Sequence, residues 1–351
     1  TYKYNCDFLG YTGVGAIPIG MANPDLKWQT TKKFNVGITS SFLGDRLNVN
    51  LDVYNEKTID MLIDRSLPPS SGTTSVKANL GSQTSNGIEF SVWGKIIRTK
   101  DWEWTLSVNG LHSKTTINNI SEAMKRMNEQ NATGYTDGSV SVASSSPLFQ
   151  YREGESPTAI YAVRSAGIDP ATGREIFIKQ DGSYTYTYDT KDQVACGDTN
   201  PVMQGSFSSM LQYKNFSLTA SFQYRFGGKM YNSTRALKVE NINPRQNCDV
   251  RAFTDRWTKP GDVKPYIDIA NATGNTSVYT DRFVEKDNEL WLSSLYLQYN
   301  VPVTFLRKIH VQKLYVGIGT EDLFRITSAK YERGTSYPYS RSVNMSASLT
   351  F

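Results

Sequence analysis

Nine stretches of the chain alternate apolar and polar residues with a period of two: 32–42, 46–55, 87–96, 102–111, 205–213, 216–226, 289–300, 313–320 and 343–351. Side chains of a strand point to opposite faces in turn, so each stretch predicts a β-strand with one apolar and one polar face. The apolar sides carry Phe34, Val36, Ile38 and Phe42, then Leu47, Val49, Leu51 and Val53, then Ile88, Phe90 and Val92, then Trp102, Trp104, Leu106 and Val108. Phe207, Leu211 and Tyr213 follow, with Phe216, Leu218, Ala220, Phe222, Tyr224 and Phe226, and then Trp291, Leu295, Leu297 and Tyr299. Leu314, Val316 and Ile318 make the eighth stretch apolar on one side. In the last, Val343, Met345, Ala347, Leu349 and Phe351 alternate with Asn344, Ser346, Ser348 and Thr350.

The links between strands sharpen this picture. Short ones, at 43–45, 97–101, 214–215 and 302–312, alternate with long polar ones at 56–86, 113–204, 227–288 and 321–341. Compact soluble domains rarely need several connections of that length. Bacterial outer-membrane barrels combine tight periplasmic turns with long extracellular loops. The expected fold is therefore all-β, a transmembrane antiparallel β-barrel whose extracellular loops are the four long links. Residues 1–31 are expected to be the remnant of a further extracellular loop, and one helical turn is expected around Phe305-Leu306. Trp102 and Trp104 fall at a strand end, where an aromatic belt sits in a membrane protein. Bacterial barrels have an even number of strands. Nine strands beginning outside thus imply the carboxy-terminal portion of a larger barrel.

Composition excludes some classes and leaves this one standing. A mean hydropathy of −0.45 and the lack of any apolar run near 18 residues exclude a helical membrane protein. They do not bear on a barrel, in which only alternate residues meet lipid. Net charge is +5 with the basic residues scattered, so nucleic acid is not an expected partner. Cys6, Cys196 and Cys248 are far apart and odd in number. They outline neither a zinc site nor a full disulfide framework, and one pair across the loops stays open. There is no initiator Met and no basic, apolar leader, so an exported protein of this kind is expected to extend upstream of Thr1.

Several strings, in order along the chain, resemble the SusC/RagA family of TonB-dependent transporters of Bacteroidetes. Asn23-Pro24-Asp25-Leu26-Lys27-Trp28, Phe42-Leu43-Gly44-Asp45-Arg46-Leu47 and Asn86-Gly87-Ile88-Glu89-Phe90 come first. Gly167-Ile168-Asp169-Pro170-Ala171-Thr172-Gly173, Phe226-Gly227-Gly228-Lys229-Met230-Tyr231-Asn232 and Arg256-Trp257-Thr258-Lys259-Pro260-Gly261-Asp262 follow. The resemblance implies a 22-stranded barrel filled by a plug and capped by a SusD-like surface lipoprotein as a lid. It implies import of oligosaccharides or peptides driven through TonB. The plug domain and the TonB box would both lie before Thr1. Two rival readings remain open at this stage: a soluble all-β glycan-binding or hydrolytic domain, and a passive porin or adhesin barrel.

Loops on a rigid scaffold carry specificity, so candidate ligand- or lid-contacting groups are sought there. Segment 113–204 holds Tyr151, Tyr161, Tyr184, Tyr186 and Tyr188 near Asp181, Asp189, Asp192 and Asp198. Aromatic faces stack on sugar rings, and tyrosines equally pack a loop against itself. The aspartates offer the oxygen ligands of Ca²⁺ but lack the regular spacing of a calcium loop, and no other cofactor is implied. Arg256 and Trp257 form an aromatic-basic patch before a Pro260-Gly261-Asp262 turn, either a ligand or lid contact or a buried tryptophan beside a capped turn. The turn Gly167–Gly173 reads as scaffold. Enzyme readings find little: His112 and His310 are the two histidines, and pairs such as Glu153 and Glu155 select nothing.

Overall fold

The computed structural model describes residues 2–8, 11–18, 21–66, 75–79, 81–122, 124–129, 147, 149–242, 249–271, 278–307, 311–329 and 341–350. Its main body is one antiparallel sheet in which nine strands follow one another in chain order. We number them β1 (Thr30–Phe42), β2 (Leu47–Ile59), β3 (Gly81–Arg98), β4 (Trp102–Ile120), β5 (Met203–Tyr213), β6 (Phe216–Tyr231), β7 (Val284–Asn300), β8 (Lys313–Glu321) and β9 (Val343–Thr350). A short strand, Arg325–Thr327, pairs with the upper part of β7. Upper here means the end away from the short turns.

Register lines the alternating residues into rows that cross the wall. Val36, Val53, Ile88 and His112 form one row, and Ile38, Leu51, Phe90 and Gly110 the next. Nearer the short turns, Trp104, Leu211, Leu218, Leu297, Ile318 and Met345 lie side by side. These side chains share the outer face and many stay exposed, Phe34 at 69% and Met345 at 82%. A band of solvent-facing apolar rows is what a lipid-facing wall presents. At its lower edge Trp102 packs on Tyr213 at 4.3 Å and Phe216 on Tyr299 at 4.6 Å, in a single row that makes the aromatic girdle. On the same face Gly110 and Gly205 lie beside each other between Phe90 and Tyr224. A Cβ on Gly110 would fall 2.5 Å from the Phe90 ring, so both aromatics lie over backbone that carries no side chain.

The inner face is polar along its length, with Asn50, Asp52, Glu89, Ser91, Asn109, Ser206, Gln223 and Arg225 in facing rows. One residue of the sequence reading changes sides. Phe222 pairs with Leu292 and Ser221 with Ser294, so Ser293 is an extra residue in β7. A bulge of this kind reverses the parity of everything beyond it. Trp291, expected on the apolar face, therefore stands on the inner face opposite Gln223, and Leu290 and Leu292 take the outer positions.

The ladders run further than the alternation does. β2 extends to Ile59, β4 to Ile120 and β6 to Tyr231, past the last lipid-facing rows. Segment 113–204, read as one long polar link, contains a four-stranded sheet ordered Tyr184–Thr185, Glu175–Ile178, Ala159–Ile168, Gln193–Asp198. Its central strand opens Ala-Ile-Tyr-Ala-Val, buried on both faces, a run with no alternation to detect. Hairpins join Leu62–Ser66 to Ser75–Asn79 and Tyr2–Phe8 to Tyr11–Pro18, the latter within the segment expected as a loop remnant. Val303–Leu306 forms the expected helical turn.

The buried core lies above the wall, not within it. Ile160, Tyr231, Val239, Ala252, Tyr266, Tyr279 and Phe283 pack into one cluster drawn from the four-stranded sheet, the tops of β6 and β7 and the segment between them. Apolar burial drives this assembly as it would in a small soluble domain. The described parts of the 113–204 and 227–288 links thus form a folded platform on the rim.

Candidate functional site

Two surfaces have the chemistry to handle a solute. The first is a cleft of about 720 Å³ on the inner wall, lined among others by Asp52, Glu89, Asn109, Gln223, Arg225 and Trp291. Cross-strand register places Asp52, Glu89, Leu111, Gln204, Arg225 and Glu289 in one row. The row is acidic at one end and ion-paired at the other. Arg225 bridges Asp287 at 3.1 Å and Glu289 at 2.9 Å, while Arg325 reaches Glu289 at 2.6 Å and lies over the Trp291 ring at 5.1 Å. Glu289 is 2% exposed, and two guanidinium groups compensate its burial. Carboxylates, amides, hydroxyls and an indole on one wall can bind either hydroxyl-rich or zwitterionic solutes.

The second is the rim platform, which is organised around buried charge. Arg282 donates through Nε and Nη2 to the two oxygens of Glu175, at 2.7 Å each, and through Nη2 to Glu240 at 2.6 Å. This fork geometry matches a carboxylate in a way a lysine cannot. Burial pushes the Glu240 carboxyl above its usual range, and Arg282 beside it opposes the shift. Glu175 and Glu240 outweigh the desolvation of Arg282 and raise its pKa. Arg256 donates to the carbonyls of Ala252 and Ile267 at 2.8 Å, of Glu240 at 2.7 Å and of Val239. Trp257 Nε1 donates to Pro170 O at 2.9 Å, and Gly261 N to the same oxygen at 2.8 Å. Gly173 has φ +66°, and a Cβ there would meet the Trp257 ring at 2.5 Å. The Gly167–Gly173 turn is thus clamped to the Arg256–Asp262 segment, two strings separate in the sequence.

The seven candidates therefore divide. Arg256 and Trp257 are 3% and 7% exposed and act as internal braces. Tyr161 is buried under Arg152, whose guanidinium sits 4.7 Å from its ring, and burial pushes its phenol up to about 12. Tyr188 is half-buried against Phe177, its hydroxyl accepts from Gln193 Nε2 at 3.3 Å, and burial likewise pushes it up to about 12. Tyr151 packs on the Met61 and Met124 pair. Tyr184 and Tyr186 keep exposed rings, at 70% and 43%, on the rim of the four-stranded sheet. Tyr186 donates to Asp169 at 2.8 Å under the Arg174 guanidinium and borders a 230 Å³ pocket with Glu240 and Arg282.

The aspartates of the same loop are taken up by backbone N–H groups, three in local turns and Asp192 across the loop. Asp181 accepts from Ser183 N, Asp189 from Lys191 N, Asp192 from Gln180 N and Asp198 from Asn200 N. Among the described residues no three His, Cys, Asp or Glu side chains converge in the manner of a metal site. Cys196 is a free, half-buried thiol, and Cys248 and His310 lie outside the described residues. The inner-wall groups Asp52, Glu89, Arg225, Glu289 and Trp291 were not singled out beforehand. The polar side of each strand was their only signal, and Trp291 lacked even that.

An apolar outer face, an aromatic girdle and a polar inner face define the wall of an outer-membrane β-barrel. The chain belongs to the TonB dependent receptor-like, beta-barrel family, whose model matches residues 2–231. It is 25% identical to TonB-dependent receptor P3 of Formosa agariphila over 89% of the chain and 31% of that protein. It is 27% identical to TonB-dependent receptor SusC of Bacteroides thetaiotaomicron over 60% of the chain and 20% of that protein. Among solved structures, the RagAB peptide importer in its open-open state superimposes with a TM-score of 0.74 at 23% identity, covering all of this chain and 38% of that one. The chain thus spans between a fifth and two fifths of these relatives. It is a TonB-dependent receptor barrel of the outer membrane, similar in sequence to SusC and in fold to RagAB, as its strings suggested.

Proposed function

We propose that this chain is part of a SusC-like, TonB-dependent importer of oligosaccharides or peptides that works with a SusD-like lipoprotein as its lid. The observation that carries the reading is a polar, cleft-bearing inner wall topped by a rim platform with its own buried core. A passive pore has no need of a cored platform, whereas a lid that closes on captured solute needs a firm surface to close against. Exposed Tyr184 and Tyr186 make the four-stranded sheet the part of the platform best equipped to meet a lid or a solute. The four long links and their sheet then face the cell exterior and the short turns the periplasm. TonB would act through a plug outside this span, as the family resemblance implies. The mechanism is gating and capture, not catalysis.

Affinity isolation of the chain from native outer membranes in mild detergent, followed by mass spectrometry, tests this. Co-purification of a surface lipoprotein together with plug peptides is expected, and the bound solute then tells glycan from peptide. Recovery of the chain without any lipoprotein would reject the lid partnership. Its recovery from the soluble fraction would reject the reading entirely.

A further inference from the structure

The outer face of the first four strands carries charge of one sign only. The carboxylates of these strands, Asp52, Glu56, Glu89 and Glu103, all occupy inner-face positions, where Lys33, Lys95 and Arg98 accompany them. The charged residues of its outer face are three lysines, Lys32, Lys57 and Lys114. Lys32 stands directly opposite Lys57, and Lys114 lies across β3 one row lower. All three are exposed, and none makes an ion pair or hydrogen bond among the described residues. Like charges placed directly opposite across a strand pair destabilise a sheet unless something neutralises them.

Their height is informative. From Trp102 in the girdle to His112 in the last apolar row is ten residues along β4. At about 3.3 Å per residue and a tilt of about 40° that is about 25 Å, the full height of a barrel's apolar band. The lysines therefore sit just above the hydrocarbon edge, where phosphates of lipid headgroups lie. Immediately below them is an outer groove of about 460 Å³ lined by Phe34, Val36, Val53 and Ile88, with Lys114 at its margin. Its exposed lining is mainly apolar.

We propose that this face binds an anionic membrane lipid, with a phosphorylated headgroup held by Lys32, Lys57 and Lys114 and an acyl chain laid in the groove beneath. Charge complementarity selects the headgroup, and the groove's place in the apolar band selects a lipid over a free anion. The inference rests on the outer-membrane placement of the wall and is independent of which solute is imported.

Native mass spectrometry of the intact complex, purified in mild detergent, provides the test, with diphosphoryl lipid A, phosphatidylcholine and inorganic phosphate as separate probes. Retention of diphosphoryl lipid A is expected, with phosphatidylcholine at least tenfold weaker and inorganic phosphate unable to displace the bound lipid. Substituting Lys32→Gln, Lys57→Gln and Lys114→Gln together should lower lipid retention at least tenfold, and the corresponding Arg substitutions should restore it. Heat-shifted gel migration reports whether each variant assembles. Should the triple Gln variant not assemble, Lys114→Gln alone is expected to weaken retention at least threefold. Equal retention by wild type and assembled Gln variant, or equal retention of phosphatidylcholine, overturns the proposal. Full displacement by inorganic phosphate overturns it in favour of a free-anion site. Because lipid retention is read without import, its failure leaves the transport reading untouched.

Discussion

Trp291 on β7 faces Gln223 on β6 across the inner surface of the wall, because Ser293 is inserted between the Ser221–Ser294 and Phe222–Leu292 pairs. The Ser293 hydroxyl donates to Ser221 O at 2.9 Å and so satisfies a carbonyl at the point where the ladder slips. Arg325 covers the turned indole from above at 5.1 Å. A single inserted residue thus moves an aromatic group from the apolar outer face to the polar inner face.

The parity of the two faces can be tested by charge insertion. Phe222→Arg, on the outer face near mid-height of the apolar band, is expected to cost about 2–4 kcal/mol of barrel stability. Trp291→Arg is expected to cost much less, since the inner face is wet. Urea titration of heat-shifted gel migration measures both. A Trp291→Arg penalty as large as that of Phe222→Arg would falsify the bulge-driven inversion.

Arg282 holds two carboxylates that are 8% and 3% exposed, those of Glu175 and Glu240. Arg282→Ala leaves both without their cation, at an expected cost of about 3–5 kcal/mol to the rim platform. The pH dependence follows from Glu240, whose carboxyl burial raises. An acid with a raised native pKa is protonated more readily when folded. Its contribution is therefore greatest below its unfolded value of about 4.3 and falls as pH rises through the native one. Hydrogen-exchange protection of residues 236–242 in Arg282→Ala should accordingly be best near pH 4 and decline towards neutrality. Protection that improves with rising pH contradicts this account.

Gly173 is the hinge of the clamp between the Gly167–Gly173 turn and Trp257. Gly173→Ala forces an L side chain into left-handed backbone, at about 1–3 kcal/mol, and drives its methyl into the indole. Faster proteolytic cleavage within residues 167–174, with the wall still assembled, is the expected outcome. Unchanged cleavage would show that the clamp is not structurally significant.

Burial pushes the Cys196 thiol up to about 11, with Asp281 adding to the shift. A free thiol near pH 8 is partly thiolate, whereas one with a pKa near 11 is almost wholly protonated. In a Cys6→Ser/Cys248→Ser background, labelling by a maleimide at pH 8 should be slower than for a model thiol by roughly two orders of magnitude. Rapid labelling of the folded protein is the outcome that rules out this burial.

Much of the wall was legible because its rule is local. Alternation depends only on the two-residue period of a strand, so Phe34, Leu51, Phe90, Leu218 and Val316 could be assigned to one face from their spacing. The girdle was legible for the same reason, with Trp102, Tyr213, Phe216 and Tyr299 all flanking short links. The rim platform was not. Its central strand is apolar on both faces, so no period marks it, and its core joins Ile160 to Val239 and Phe283 across long separations. Candidate tyrosines that looked equivalent in the loop came apart for this reason, Tyr161 into the core and Tyr184 onto the surface.

Amino-acid order alone determined the class of this protein: a membrane wall with an apolar and a polar face, strand by strand, and a succession of short and long links. Tertiary structure decided which polar groups meet. Register brought Asp52, Glu89 and Arg225 into one row, a bulge turned Trp291 to join them, and packing at the rim paired Arg282 with Glu175 and Glu240. Face assignment is a property of a strand by itself, whereas a row, a cleft or a buried ion pair exists only between strands. Its energy comes from neighbours distant in sequence.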